Sequence, residues 1–165
     1  MMLLPLTAVQ ILEIAIQAER QGAAFYQRLA ATADSERVRA ECQRLVEFER
    51  EHEKTFRRLL GQRDVQRALD SLQPGQLSDE YQQYLSALVD SNMLPDEETA
   101  QQLAEEADSE VEAINIALQM EKNTILFYQE LQNLLGTKVG ALQTILDEER
   151  SHVYQLSELK AYLQN

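Results

Sequence analysis

The chain has 165 residues, 44% of them hydrophobic, with 5 Gly, 3 Pro, one Cys and a formal net charge of −13. That length suits one domain with a sizeable core, residues 1–165, and the charge excludes nucleic acid and anionic membranes as partners because phosphates would be repelled. The lone Cys42 excludes an internal disulfide and any Cys-x-x-Cys knuckle, and no apolar run reaches membrane-spanning length. "MMLLPL" is too short and lacks the basic residues of a signal peptide, so the expected location is the cytoplasm. Ala, Leu, Glu and Gln dominate and β-branched residues are sparse, which predicts an all-α chain.

The first predicted helix opens at Thr7-x-x-Gln10, a capping box after Pro5, and runs through "AVQILEIAIQAERQGAAFYQRLAAT". A second begins near Asp34 or Ser35 and ends at Gly61. Residues 62–108 differ in character: Pro74-Gly75 and Pro95-Asp96 punctuate them, leaving short helices at about 64–72, 78–91 and 96–107. A third long helix opens at Ser109-x-x-Glu112 and stops before Gly136, and a fourth occupies roughly 138–163. Each long helix spans about 38 Å and the short loops inside each pair force antiparallel neighbours, so a four-helix bundle follows. The crossover is far longer than the span it has to bridge, so it must fold on something: a flap, a swapped element or a dimer surface.

The chain also repeats itself. "AIQAERQGAAFYQ" at 15–27 aligns with "ALQMEKNTILFYQ" at 117–129, and "EREH" at 49–52 with "ERSH" at 149–152. Two hairpins of one design, 8–61 and 109–163, therefore flank the crossover.

The apolar stripes of these helices carry the wrong residues for a plain core. Leu12, Ala15, Ile16, Glu19, Ala23 and Tyr26 share one face of the first helix; Ile114, Ala117, Leu118, Glu121, Ile125 and Tyr128 share one face of the third. Cys42, Leu45, Glu49, His52, Phe56 and Leu59 line the second, and Leu142, Ile145, Glu149, His152, Leu156 and Leu159 the fourth. The only two histidines both stand in Glu-x-x-His on an inward face. Buried carboxylates without partners cost several kcal/mol each or take up protons, and two divalent cations would cancel the charge. Four carboxylates and two imidazoles suit iron or manganese better than zinc or calcium, and allow each ion one His, one terminal Glu and two shared carboxylates. Tyr26 and Tyr128, seven residues past Glu19 and Glu121, are placed to donate to a ligating carboxylate of the other hairpin. Gly22 and Ala23 leave room beside Glu19 that reads as an entrance for a small oxidant. The runs "EER" and "EEADSE" read as solvated faces, and Cys42 as a small buried apolar residue.

With those residues in view, the sequence resembles the ferritin-like superfamily of di-iron carboxylate proteins, nearest the rubrerythrin-type domains, over residues 8–61 and 109–163. "AERQGAAFY" and "MEKNTILFY" resemble the family's first and third helices, and "FEREHEKTF" and "EERSHVYQL" its second and fourth. The resemblance implies an all-α, ferritin-like antiparallel four-helix bundle with a long helical crossover between helices 2 and 3. It implies that Glu19, Glu49, His52, Glu121, Glu149 and His152 ligate two iron ions, with manganese the alternative, and that Glu49 and Glu149 bridge. Two features depart from the family. Rubrerythrins usually carry a carboxylate one turn after the third-helix ligand, where this chain has Thr124; that counts against redox-linked iron movement and brings the site closer to a bacterioferritin ferroxidase centre. The rubredoxin tail is also missing, so electrons must come from an external donor such as a rubredoxin.

The resulting expectation is an oxidoreductase of oxidative-stress defence whose ferrous pair reduces hydrogen peroxide or dioxygen, with Tyr26 and Tyr128 tuning the carboxylates. The alternatives are a ferroxidase for iron storage or handling, and a non-catalytic metal-binding or interaction module. A homodimer is the expected assembly, with Tyr81, Tyr84, Leu85 and Leu88 either forming its surface or packing on the bundle.

Overall fold

The computed structural model describes residues 8–71, 78–92, 96–136 and 139–165, and among them lie seven helices and no strand. Two long helices, α1 (Ala8–Thr32) and α2 (Glu36–Leu60), form the first hairpin. The crossover contributes α3 (Arg63–Asp70), α4 (Asp79–Asn92) and α5 (Glu97–Glu106). The second hairpin is α6 (Glu110–Leu135) and α7 (Gly140–Leu163). The chain is thus an all-α, ferritin-like bundle of four long helices, with the crossover in three helical pieces close to where its Pro and Gly residues divide the sequence.

Local chemistry sets the helix ends. Ser35 caps α2, its Oγ accepting from the Val38 N–H at 3.4 Å. Ser109 caps α6 in the same way, accepting from the Glu112 N–H at 3.1 Å. Glu112 completes the box one residue early, accepting from Asp108 N–H at 2.7 Å. Gly136 ends α6 at φ 68°, a left-handed backbone that glycine adopts without penalty. Thr7, expected to cap α1, and Thr137 and Lys138 before α7 lie outside the described residues.

The expected stripes face inward, with Ala23 and Ile125 half-buried and the others buried. Their apolar members form two separate clusters. One gathers Tyr26, Cys42, Leu45, Ile114, Leu156 and Leu159; the other gathers Leu12, Phe56, Leu59, Tyr128, Leu142 and Ile145. Along every long helix the charged residues fall between the two, so the polar site divides the core at mid-height.

The crossover is packed down. α5 buries Ala100 and Ala104 in the first cluster, small enough for a close approach to α1. Arg20 pairs with Glu97 at 2.5 Å and Arg28 pairs with Glu105, pinning both ends of α5 to α1. α4 buries Leu85 and Leu88, with Leu88 in the second cluster, and Tyr81 donates to Glu130 of α6 at 2.5 Å. Leu85 and Leu88 therefore pack within this chain, and Tyr84 is exposed beside Glu130. The run "EEADSE" is not simply a solvated face, because Glu105 holds Arg28 and Glu110 accepts from the Ser35 N–H at 2.8 Å. That last bond ties the first hairpin's loop to the start of α6. No helix among the described residues is long and apolar enough to cross a membrane.

Candidate metal centre

Each long helix delivers one carboxylate to the middle of the bundle, Glu19 from α1, Glu49 from α2, Glu121 from α6 and Glu149 from α7. His52 and His152 follow one turn after Glu49 and Glu149, on the same faces. All six are at most 4% exposed, so none can be solvated as an ordinary charged side chain.

Their donor atoms converge in two sets. Glu19, Glu49, His52 and Glu149 offer atoms within 4.8 Å of one another, and so do Glu49, Glu121, Glu149 and His152. Glu49 and Glu149 belong to both. Both imidazoles face inward by Nδ1: His52 Nδ1 lies 2.8 Å from Glu149 Oε1 and 3.4 Å from Glu19 Oε2, and His152 Nδ1 lies 3.2 Å from Glu149 Oε2.

The orphaned atoms test whether a metal suits this cluster. Glu19 Oε2, Glu49 Oε1, Glu149 Oε1 and His52 Nδ1 are buried without a hydrogen bond, including the pair only 2.8 Å apart, whose groups are not aligned for one. Buried polar atoms are rarely left so, and each costs about 1–3 kcal/mol. Lone pairs gathered around a common space, oxygen-rich with one nitrogen in each set, are what a mid-row divalent ion requires. The cluster is able to hold metal.

Two tyrosines cross between the hairpins. Tyr26 of α1 donates to Glu121 Oε1 of α6, and Tyr128 of α6 donates to Glu19 Oε1 of α1. Both rings are buried, and burial followed by the adjacent carboxylates holds both hydroxyls well above the usual phenol range. They remain neutral donors at any physiological pH.

Residues 10–160 match the family model described as Rubrerythrin. The chain belongs to the rubrerythrin family. No curated protein and no solved structure matches it. In this rubrerythrin-family chain Thr124, one turn past Glu121, is half-buried and brings no further carboxylate to either set.

The electrostatics of the metal-free cluster follow from like charges in a dry space. Burial pushes Glu49 upward, reinforced by Glu19 and Glu149, and pushes Glu121 up to about 8, reinforced by Glu149. Burial opposes the charged form of both histidines, yet Glu149 and Glu19 raise His52 to about 11, and Glu121 and Glu149 raise His152 to about 9. Burial also opposes the Glu149 carboxylate, but the two imidazoles outweigh it and hold that group below its ordinary value. Without cations, the cluster gathers protons to balance its charge.

Two features depart from the sequence-based expectation. Gly22 does not open an entrance beside Glu19: a Cβ there would stand 2.9 Å from Glu49 Oε2, so this buried glycine makes room for the Glu49 carboxylate. Glu148, placed with the solvated run "EER", instead sits behind His52, its Oε2 2.8 Å from Nε2. Its position next to Glu149 hides it, because adjacent residues on a helix diverge by about 100° and only the spacing from a neighbouring helix reveals the contact. Cys42 is buried as expected, and burial pushes its thiol up to about 12, far from a reactive thiolate.

Proposed function

We propose that this rubrerythrin-family protein is a di-iron oxidoreductase whose ferrous pair is oxidised by hydrogen peroxide or dioxygen. The observation that carries the reading is the sharing of Glu49 and Glu149 by two donor sets, since two ions held by common carboxylates are necessarily neighbours. Glu19 and His52 would complete one position, Glu121 and His152 the other. Bound iron would supply the electrons that a two-electron oxidant consumes. The chain's own residues do the rest. Tyr128 and Tyr26 each fix one oxygen of Glu19 and Glu121, which leaves the other oxygen directed at the site. The apolar clusters above and below exclude bulk water. The reducing electrons would come from a donor of the rubredoxin type.

The test is anaerobic loading with two equivalents of ferrous ion followed by stoichiometric peroxide. Ferric charge-transfer absorption appears in the parent and is lost in Glu49→Ala. If it is absent from the parent, or the variant matches the parent, the proposal fails.

A second reading, ferroxidation for iron storage or handling, is favoured by Thr124, which leaves the two donor sets alike in composition. Solution mass tests this second reading: a 24-subunit cage supports storage, and a dimer argues against self-contained mineral storage. A chain that takes up far fewer than two ions and gains no thermal stability from them would be a structural module instead.

A further inference from the structure

The two donor sets match in composition but not in what stands behind their histidines. The internal repeat relates residue 48 to residue 148, each one position before the shared glutamate of its helix. In one copy that position is Glu148, and its Oε2 lies 2.8 Å from His52 Nε2. In the other it is Phe48, whose ring packs on His152 with centroids 5.1 Å apart and planes at 63°. His152 Nε2 is buried and has no hydrogen-bond partner.

We propose that the two metal positions are unequal for this reason: the His52 position binds first and tightly, and the His152 position is the exchangeable one. Glu148 is a positioning residue. By accepting the Nε2 proton it fixes the tautomer that leaves the Nδ1 lone pair toward the ion, restrains the ring and makes the imidazole a stronger donor. A phenyl ring restrains His152 by contact alone and accepts no conventional hydrogen bond. Partners of this kind change metal affinity by about 10- to 100-fold, which sets the expected gap between the two dissociation constants. Under either functional reading, the ion that enters last and leaves first is then the one at His152.

This inference rests on the metal centre proposed above, and the test separates the two. Manganese(II) is titrated into the metal-free protein, and stepwise constants are measured by calorimetry and by the loss of the free-ion spin-resonance signal. The parent shows two constants at least tenfold apart. In crystals grown with one equivalent, the anomalous peak at the manganese edge lies beside His52 Nδ1. Glu148→Ala, a change at a side chain 39% exposed that removes the acceptor and leaves the core intact, weakens the first constant about tenfold or more. Phe48→Glu supplies the missing acceptor and tightens the second by a similar factor, narrowing the gap. Equal constants in the parent, a peak beside His152, or constants unmoved in both variants would overturn the inequality while leaving the centre standing. A parent that binds neither manganese(II) nor ferrous ion removes the centre, and the inequality with it.

Discussion

Gly22→Ala isolates the effect of a single methyl group placed against Glu49. The new Cβ would stand 2.9 Å from Glu49 Oε2 and 3.1 Å from its Cδ. Relief to an ordinary contact of 3.4 Å requires a shift of about 0.5 Å, and the atoms that yield are the free end of a flexible side chain rather than backbone. The fold therefore survives. Alanine gains about 1 kcal/mol over glycine in a helix interior, against about 1 kcal/mol of crowding at the mild end of the overpacking range, so metal-free stability stays within about 1 kcal/mol of the parent. The ligand geometry does not survive as well, because binding constellations tolerate displacements of only about 0.5 Å. Glu49 serves both donor sets, so both dissociation constants rise, by about tenfold or more, equivalent to about 1.4 kcal/mol each. Urea melts of the metal-free protein paired with manganese(II) calorimetry measure the two effects separately. An unchanged affinity would refute the role given to Gly22, and a loss of more than about 3 kcal/mol without metal would refute the claim that only Glu49 moves.

Tyr26→Phe and Tyr128→Phe each remove a buried hydrogen bond to a carboxylate and are expected to lower metal-free stability by about 1.5–3 kcal/mol in urea melts. Parent-like midpoints would show that the cross-hairpin bonds contribute nothing. His52 and His152, raised to about 11 and about 9 from an unfolded value near about 6.5, and Glu121, raised to about 8, contribute stability that is present at low pH and lost as pH climbs through those values. Glu149, held low, acts in the opposite sense, its contribution being lost only as pH falls below the ordinary carboxylate range. The metal-free melting temperature should therefore fall between pH 7 and 10. Metal uptake at pH 7 should release protons, seen as a binding enthalpy that varies with buffer ionisation heat, and metal should leave near pH 5. An enthalpy independent of buffer would contradict the assignment of these groups as ligands. Finally, Ala100→Leu should overpack the α5–α1 contact by about 1–3 kcal/mol, and an unchanged melt would show that α5 is only loosely placed.

The four long helices and the six polar residues of the site were legible because glutamate and histidine interrupt an apolar stripe at helical spacing, and because the interruption recurs about a hundred residues later. Ser35, Ser109, Gly61 and Gly136 mark helix ends by local chemistry, which a single strand of sequence carries in full. What was not legible depends on neighbouring helices. Gly22 lies one turn from Glu19 on α1, so spacing assigned its free space to Glu19, whereas the occupant comes from α2. Glu148 looks like one more acid on a charged surface until α2 brings His52 against it. The docking of α5 rests on two alanines and two ion pairs whose partners on α1 lie 77 residues earlier in both cases, Arg20 for Glu97 and Arg28 for Glu105, a match that neither helix announces alone.

The crossed tyrosines carry an implication for descent. Neither half satisfies itself: the hydroxyl of each phenol finds its acceptor only on the opposite copy, and each donor set draws on glutamates from both. An ancestral peptide of one hairpin, associating with its twin, would have brought together every one of these groups at once. The phenylalanine at position 48 and the glutamate at position 148 are one place where the two copies differ beside the centre.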